Sequence, residues 1–190
     1  IKQKLTTLTL IRIGTSGAIQ SDVHVDSFLI SEKAVGLDNL LHYYDSNNLL
    51  DLSFSKALIE HCNWNSKNAT PYVVDASKKL LSLFNDPVFK NGCTVTNVGF
   101  YGPQGRKLRL KTNNENLNSR LASFQYQGKK ITNLEMETSG IYGLASLLGH
   151  DAISLNAVLA NRASKTFSLS PNKTIARLIA TTLNIIANIK

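Results

Sequence analysis

The sequence has little of what marks the specialised classes of protein. Its two cysteines, Cys62 and Cys93, show no CxxC spacing, and no histidine pair has metal-ligand spacing, so neither a disulfide framework nor a metal site is predicted. No apolar run approaches the roughly 18 residues of a membrane-spanning helix, and no fibrous repeat occurs. These absences predict a globular protein of the reducing cytoplasm with no membrane partner.

Hydrophobic residues form 43% of the 190-residue chain, which is enough for one core, so residues 1–190 are predicted to be a single domain. Their spacing predicts strands at 7–13, 25–30, 33–37, 94–98 and 152–159, and helices at 55–62, 75–84, 134–148 and 174–189. This alternation indicates an α/β fold with a central mixed, twisted sheet flanked by helices. The apolar run 8–13 needs neighbouring strands to bury it, so we expect an N-terminal part of the fold to be missing.

Most of the positive charge lies in one segment. The chain carries a net charge of +8, and residues 89–130 hold eight basic residues against one acid. Such a field suits an anionic ligand, either a small phosphate or a nucleic acid backbone. A nucleic-acid-binding module would use the aromatic side chains of this segment for stacking, namely Phe100, Tyr101, Phe124 and Tyr126. A solvated basic face is the simpler explanation.

The motif Arg12-Ile-Gly-Thr-Ser-Gly17 follows the first apolar run. A turn at 14–17 would expose consecutive backbone N–H groups and two hydroxyls, and Arg12 would add a bidentate guanidinium. These groups together can hold a phosphate. An ordinary turn and a buried salt bridge of Arg12 are the alternatives.

A second motif runs from Phe100 to Arg106 and combines an aromatic ring with a loop shaped by glycine and proline. The amide of Gln104 offers a donor and an acceptor, which match the N–H and C=O edge of a lactam such as uracil. Arg106 can donate to a further carbonyl, and Phe100 can stack on the ring. The alternative is a structured turn with two surface polar residues.

Two shorter motifs follow in the last third of the chain. Glu135-Met136-Glu137 is predicted to lie in the first turn of the helix 134–148, which Asn133 would cap. One of the two carboxylates could accept hydrogen bonds from a sugar diol, although acids are common in a first turn. Asn161-Arg162 follows the strand 152–159, where open α/β sheets place ligand-binding residues. A loop-edge arginine is the alternative there.

In order and spacing, these four motifs resemble the uridine phosphorylase branch of the nucleoside phosphorylase family. The resemblance covers nearly the whole chain and is carried by the segments 12–20, 100–106, 135–137 and 160–162. It implies the phosphorylase/hydrolase-like α/β fold, of which residues 1–190 would form about the C-terminal two-thirds. It also implies a homo-oligomer, either a dimer or a hexamer built from dimers.

The resemblance assigns a role to each motif residue. Arg12, Gly14 and Thr15 would bind phosphate, and Thr15, Glu135, Met136 and Glu137 would lie at the ribose. The base would be held by Phe100, Gln104, Arg106 and Arg162. The catalytic residues would be Arg12, Thr15 and Arg162.

The implied reaction is reversible phosphorolysis of uridine to uracil and ribose 1-phosphate in nucleoside salvage, with inorganic phosphate as co-substrate and no metal or organic cofactor. Purine-cleaving relatives have an Asp in place of Arg162, and an Asp can protonate the leaving group. An arginine instead stabilises negative charge on a departing pyrimidine.

The purine nucleoside phosphorylases and the nucleosidases of the same fold remain alternatives.

The segment 164–171, which follows Arg162, is predicted to act as a lid. The family's early phosphate loop, and the His and Arg that come from a neighbouring subunit, have no counterpart in residues 1–190.

Overall fold

The computed structural model describes residues 6–188. The strands are β1 (Thr9–Ala18), β2 (Phe28–Gly36), β3 (Tyr72–Asp75), β4 (Phe89–Thr96), β5 (Gln125–Tyr126), β6 (Lys129–Glu135), β7 (Asp151–Asn161) and β8 (Thr166–Phe167). The α-helices are α1 (Leu52–Cys62), α2 (Lys78–Leu83), α3 (Leu117–Ser123), α4 (Thr138–Leu147) and α5 (Pro171–Ala187). Short 3₁₀ turns lie at Leu40–Tyr43 and Gly102–Gln104. The alternation confirms the predicted α/β class.

The central sheet is mixed and closes on itself. Its strands follow the order β3-β2-β4-β6-β1-β7-β8, and β2 also pairs with β7. Strand β1 is parallel to β7, β4 is parallel to both β2 and β6, and the β1–β6 and β2–β7 pairs are antiparallel. The five central strands therefore form a distorted ring, with β3 and β8 attached outside it.

Helices cover the ring on several sides. Helices α1 and α3 bury Phe54, Leu58 and Leu121 against the strand residues Val95 and Leu134. Helices α2 and α5 cover a second apolar cluster centred on β2 and β7. Helix α4 packs where the sheet carries polar side chains, and its Tyr142 donates to the Ser31 carbonyl at 2.6 Å. The mixed sheet flanked by helices is thus the predicted architecture.

Strand β1 has one incompletely paired edge. Residues 9–18 pair with β7 along their whole length, whereas only Gly17 and Ala18 pair with β6 on the other side. Within residues 6–188, no strand pairs with 9–16 along that second edge. The backbone N–H and C=O groups there have no ladder partner from the described chain.

The predicted turn at 14–17 is wrong, because β1 continues to Ala18. Gly14 pairs with Asn156, and the ladder runs on past a bulge at Ser16 and Gly17. The long, buried strand β7 supplies backbone partners that override the turn preference of Gly-Thr-Ser-Gly. The phosphate motif is therefore part of a strand rather than a loop.

The predicted helix start at Leu134 is also wrong. Residues 129–135 form β6, and α4 begins at Thr138 after Met136 and Glu137. Asn133 does not cap a helix; it is fully buried and pairs with Thr94 and Ala18. The error arises because the polar residues Asn133 and Glu135 occupy buried positions of this strand, which hides the alternation.

Other boundaries differ in detail. The two strands predicted at 25–30 and 33–37 are one strand, β2, with a bulge between Ser31 and Lys33. The predicted helix 75–84 divides into β3 and α2, and Ser77 caps α2 by accepting from the Leu80 N–H. The last helix begins at Pro171 and extends to Ala187. Residue 189 of the predicted helix lies outside the described residues.

Candidate functional site

Arg12 points from the middle of β1 into a pocket of polar partners. Its Nη1 donates to Ser154 Oγ at 3.2 Å and to Asn156 Oδ1 at 3.0 Å, both on the adjacent strand β7. Its Nη2 donates to Glu137 Oε2 at 2.5 Å. The guanidinium lies over Gly14, where a Cβ atom would overlap it. Gly14 thus leaves the space in which the Arg12 side chain folds back along its own strand.

Glu135 is the fixed carboxylate beside Arg12. Its side chain is 1% exposed, and its Oε2 lies 3.3 Å from Arg12 Nη2. The same oxygen accepts from the backbone N–H groups of Glu137 and Thr138 at 2.9 Å each, and Oε1 accepts from Thr96 Oγ1 at 2.6 Å. Glu135 therefore holds the β6–α4 connection and the guanidinium at the same time. Arg12 therefore forms the salt bridge that is the alternative to phosphate binding, and its partners belong to the Glu135-Met136-Glu137 motif.

Glu137 differs from Glu135 in being accessible. Its side chain is 56% exposed although it contacts Arg12, and the neighbouring Met136 is also partly exposed. Both residues lie in the connection between β6 and α4. One carboxylate of the motif is therefore built into the fold, and the other can turn towards a ligand.

The second cluster joins Gln104, Arg106 and Arg162. Gln104 Oε1 accepts from Arg106 Nη1 at 2.6 Å and from Arg162 Nη2 at 2.8 Å, and Arg162 Nη1 reaches the Gln104 carbonyl at 3.1 Å. The Arg106 guanidinium also lies 3.6 Å from the centre of the Phe100 ring. All four predicted base-site residues are thus in one place.

The amide of Gln104 is engaged on one side. Its oxygen is taken by two guanidinium groups, whereas Nε2 has no hydrogen-bond partner within residues 6–188. Gln104 is 4% exposed, and Asn118 Nδ2 holds its carbonyl at 2.9 Å. The sequence predicted both a donor and an acceptor for a base, but the geometry leaves only the donor free.

Burial weakens the proton affinity of both arginines. Burial, with Arg106 nearby, lowers the pKa of Arg162 to about 10, and burial also lowers the pKa of Arg106. Both groups still carry their charge at neutral pH. Two positive charges therefore face a partly desolvated site, where they act more strongly on an anion than they would in water.

Strand β1 links the two clusters. The Arg162 backbone N–H donates to the Ala18 carbonyl at 2.9 Å, and Gly17 lies against the Arg162 side chain. Thr15 lies between Arg12 and Gly17 on this strand and is exposed. Within residues 6–188, the side chain of Thr15 makes no hydrogen bond to either cluster, so its assignment stays a prediction.

The segment after Arg162 is anchored. Residues Thr166 and Phe167 form β8, which pairs with the end of β7. Ser168 Oγ donates to Asp26 Oδ1 at 2.5 Å, and Thr174 Oγ1 donates to the same oxygen at 2.5 Å. The predicted lid at 164–171 is thus a short hairpin tied to the β1–β2 connection, and its closure stays a prediction.

Sequence reasoning missed the partners of Arg12 on β7. Ser154 and Asn156 are both fully buried, and each interrupts an otherwise apolar strand, as Arg12 does. A buried polar side chain needs a hydrogen-bond partner, so the same argument that singled out Arg12 applies to both. That signal could have found them.

The basic segment presents only part of the stacking surface predicted for a nucleic-acid-binding module. Phe124 is 2% exposed, and it packs with Phe54 in the core together with Tyr126. Phe100 and Tyr101 remain exposed. A cavity of about 1280 Å³ lies beside this segment and includes Arg106 in its lining. Only two of the four predicted stacking aromatics are therefore available.

Within residues 6–188, no group of three or more His, Cys, Asp or Glu side chains could hold a metal ion. Over the same residues, every helix is too short or too polar to cross a membrane. The two clusters themselves contain guanidinium, carboxylate, amide and hydroxyl groups.

The chain matches a known protein family over nearly its whole length. The family profile of the phosphorylase superfamily matches residues 3–188. Uridine phosphorylase from Thermococcus kodakarensis is 28% identical over 188 residues, which are 94% of this chain and 58% of that protein. Uridine phosphorylase from Haemophilus influenzae is 29% identical over 161 residues, covering 81% of this chain and 54% of that protein. The chain thus spans little more than half the length of these relatives.

Solved structures show the same fold. A Trypanosoma brucei nucleoside phosphorylase described as having uridine phosphorylase activity superposes with a TM-score of 0.80 at 22% identity, over 95% of this chain and 64% of its own. A Phytophthora capsici uridine phosphorylase gives a TM-score of 0.58 at 20% identity, over 97% of this chain and 67% of its own.

Proposed function

This chain belongs to the phosphorylase superfamily, and from that premise we propose that the protein carrying it is a pentosyltransferase of the uridine phosphorylase type. It catalyses reversible phosphorolysis of a pyrimidine nucleoside, so that uridine and phosphate give uracil and ribose 1-phosphate. The names of the two curated relatives support this choice. Inorganic phosphate is the co-substrate, and the reaction needs no metal or organic cofactor.

The convergence of Arg106 and Arg162 on Gln104 is the observation that carries the proposal. It leaves the Gln104 Nε2–H to donate to a base carbonyl, while two guanidinium groups stand beside the same site. Uracil has two carbonyl oxygens and gains negative charge as it departs. A cluster of donors with a net positive charge complements that leaving group in the transition state.

The two clusters divide the chemistry. Breaking the glycosidic bond builds positive charge on the ribose, so a bound phosphate beneath the sugar acts both as nucleophile and as counter-charge. Arg12 binds that phosphate with the backbone at Gly14 and Thr15, and Met136 and Glu137 contact the ribose. Glu135 keeps Arg12 in place through its 3.3 Å ion pair. No group has to give up a proton.

Arg162 sets the choice of base. A guanidinium whose pKa is about 10 stays protonated at neutral pH, so it is not a general acid for a purine leaving group. It stabilises an anionic pyrimidine instead. For this reason the purine phosphorylase and nucleosidase activities of the same fold are the less favoured alternatives. The protein acts in the cytoplasm as a homo-oligomer that works on free nucleosides rather than on nucleic acids.

The test is release of uracil from uridine by the full-length protein, with and without inorganic phosphate and with inosine as the competing substrate. We expect uracil only when phosphate is present, together with ribose 1-phosphate. Release of hypoxanthine from inosine at a comparable rate would overturn the role of Arg162. Uracil release without phosphate would indicate a nucleosidase, and binding of single-stranded oligonucleotides at low salt without cleavage would favour a nucleic-acid-binding protein.

A further inference from the structure

We propose that Asn156 is a positioning residue that orients the Arg12 guanidinium for phosphate, an inference that rests on the proposed function. Asn156 is fully buried in β7, and it pairs with Gly14 of the adjacent strand β1, which also carries Arg12. Its Oδ1 accepts from Arg12 Nη1 at 3.0 Å, and Ser154 Oγ accepts from the same nitrogen at 3.2 Å. Together they use both N–H bonds of Nη1.

Because Nη1 is bound to β7, the orientation of Nη2 on the other side of the guanidinium is fixed as well. Nη2 faces Glu135 and Glu137, and of these two carboxylates only that of Glu137 is exposed. An incoming anion can therefore take the place of Glu137 at Nη2, while Nη1 stays bound to β7. Without the acceptors on β7, the guanidinium could rotate and offer either edge. Asn156 thus selects the edge that meets phosphate.

Asn156 is itself held by a directional chain of buried hydrogen bonds. Because Arg12 only donates, the atom facing it must be Oδ1, so Asn156 Nδ2 donates to Ser31 Oγ at 3.0 Å. Thr94 Oγ1 donates its one proton to Asn133 Oδ1 at 2.9 Å, so in the Ser31–Thr94 contact of 2.6 Å the donor is Ser31 Oγ. The side chains of Asn156, Ser31, Thr94 and Asn133 are all fully buried.

This chain crosses the sheet from β7 through β2 and β4 to β6. Turning the Asn156 amide over would place its Nδ2 against Arg12 Nη1, so that two donors would face each other. In a buried setting such a mismatch is costly. The amide of Asn156 therefore cannot turn over, which makes it a rigid acceptor rather than an adaptable one.

The experiment compares Asn156→Leu with Thr94→Val in the full-length protein. Asn156→Leu keeps a similar volume but removes the acceptor for Arg12, whereas Thr94→Val removes a link two steps away and leaves both acceptors of Arg12 in place. Both variants lose buried hydrogen bonds, so a general loss of stability affects both. Only the first should change how Arg12 meets an anion.

For Asn156→Leu we expect the KM for phosphate to rise about tenfold, with the KM for uridine changed less than about twofold. For Thr94→Val we expect both constants to stay within about twofold of the parent values. Equal increases of the phosphate KM in both variants, or none in Asn156→Leu, would overturn the proposal. If Asn156→Leu does not fold, Ser154→Ala replaces it, and we expect its KM for phosphate to rise about threefold. An unchanged KM for phosphate in Ser154→Ala would refute the proposal.

A binding measurement separates this inference from the proposed function. If the parent protein releases no uracil in the presence of phosphate, the proposed function fails, yet titration calorimetry with inorganic phosphate still compares the parent with the variants. Weaker phosphate binding by Asn156→Leu than by Thr94→Val supports the positioning role without any turnover. Equal binding by the two variants, or no binding by the parent protein, refutes that role.

Discussion

Replacing Gln104 by Glu should separate the structural contribution of this residue from its proposed contribution to catalysis. A carboxylate keeps an oxygen for Arg106 and Arg162, which now donate to Gln104 Oε1 at 2.6 Å and 2.8 Å. It loses only the Nε2–H donor and adds one negative charge. Gln104→Leu is the comparison, because it has a similar size and removes the acceptor altogether.

The two substitutions should differ in stability. A hydrogen bond from a charged donor contributes about 1.5–3 kcal/mol. Gln104→Leu loses two such bonds, but both guanidinium groups keep some contact with solvent, and Arg162 keeps its bond to the carbonyl of residue 104. We therefore expect the free energy of unfolding to fall by about 2–4 kcal/mol. For a domain of this size that lowers the Tm by roughly 5–15 °C. Gln104→Glu should unfold at or above the parent Tm, since its charge is neutralised by two cations.

The two substitutions should agree in their effect on activity. Loss of a donor aimed at developing negative charge costs about 2.7–4 kcal/mol, and a carboxylate would also repel that charge. We therefore expect the kcat/KM for uridine to fall at least about 100-fold in both variants. The assay is uracil release at saturating phosphate together with thermal unfolding, and Glu115→Gln on the neighbouring exposed loop is the control.

Two results would refute the reasoning. A Gln104→Glu protein that cleaves uridine within about threefold of the parent rate would show that Nε2 does not contribute to leaving-group stabilisation. A Gln104→Glu protein that melts as low as Gln104→Leu would show that the two arginines do not use the side-chain oxygen as their anchor.

Three further substitutions test other parts of the structure. Although burial opposes it, hydrogen bonds from Lys33, the Phe54 N–H and Ser53 lower the pKa of Asp51 from 3.8 to about 2. This carboxylate therefore adds about 2 kcal/mol of stability above pH 4, and the contribution is lost as the pH falls towards 2. In urea unfolding, Asp51→Asn should be less stable than the parent at pH 6 by about that free energy, and the difference should disappear near pH 2. In Gly14→Ala the new Cβ overlaps the Arg12 guanidinium, so the phosphate KM should rise at least about tenfold, and an unchanged KM contradicts the site. In Gly36→Ala the new Cβ overlaps the buried ring of Tyr72, which should cost about 1–3 kcal/mol in urea unfolding; a cost below about 0.5 kcal/mol contradicts the packing.

The sequence predicts the fold class well because strands and helices differ in their apolar spacing, and that spacing is clear in most segments. It fails where buried positions are polar. Residues 129–135 bury Asn133 and Glu135 on the same strand, so the strand lacks the alternation of apolar residues by which strands are recognised. The buried polar side chains of this sheet surround Arg12. The polar residues that the candidate site needs therefore hide the strand pattern of 129–135.

The contacts of the candidate site divide in the same way. Arg12 stands out in the sequence because a charge inside an apolar strand needs a partner. Its partners lie 142 and 144 residues away, and only the parallel pairing of β1 with β7 brings them together. Gln104 and Arg162, 58 residues apart, were linked by family resemblance alone. Local chemistry identifies candidate residues, whereas strand pairing decides which of them meet.

The unpaired edge of β1 has a consequence for work with this polypeptide. Along residues 9–16, backbone donors and acceptors face away from β7, and no strand from residues 6–188 lies beside them; Leu8 and Leu10 lie exposed nearby. Such an edge is a template on which another extended chain can add. Two copies of the polypeptide should therefore associate through this edge as the concentration rises, and a short synthetic strand that occupies the edge should keep them apart.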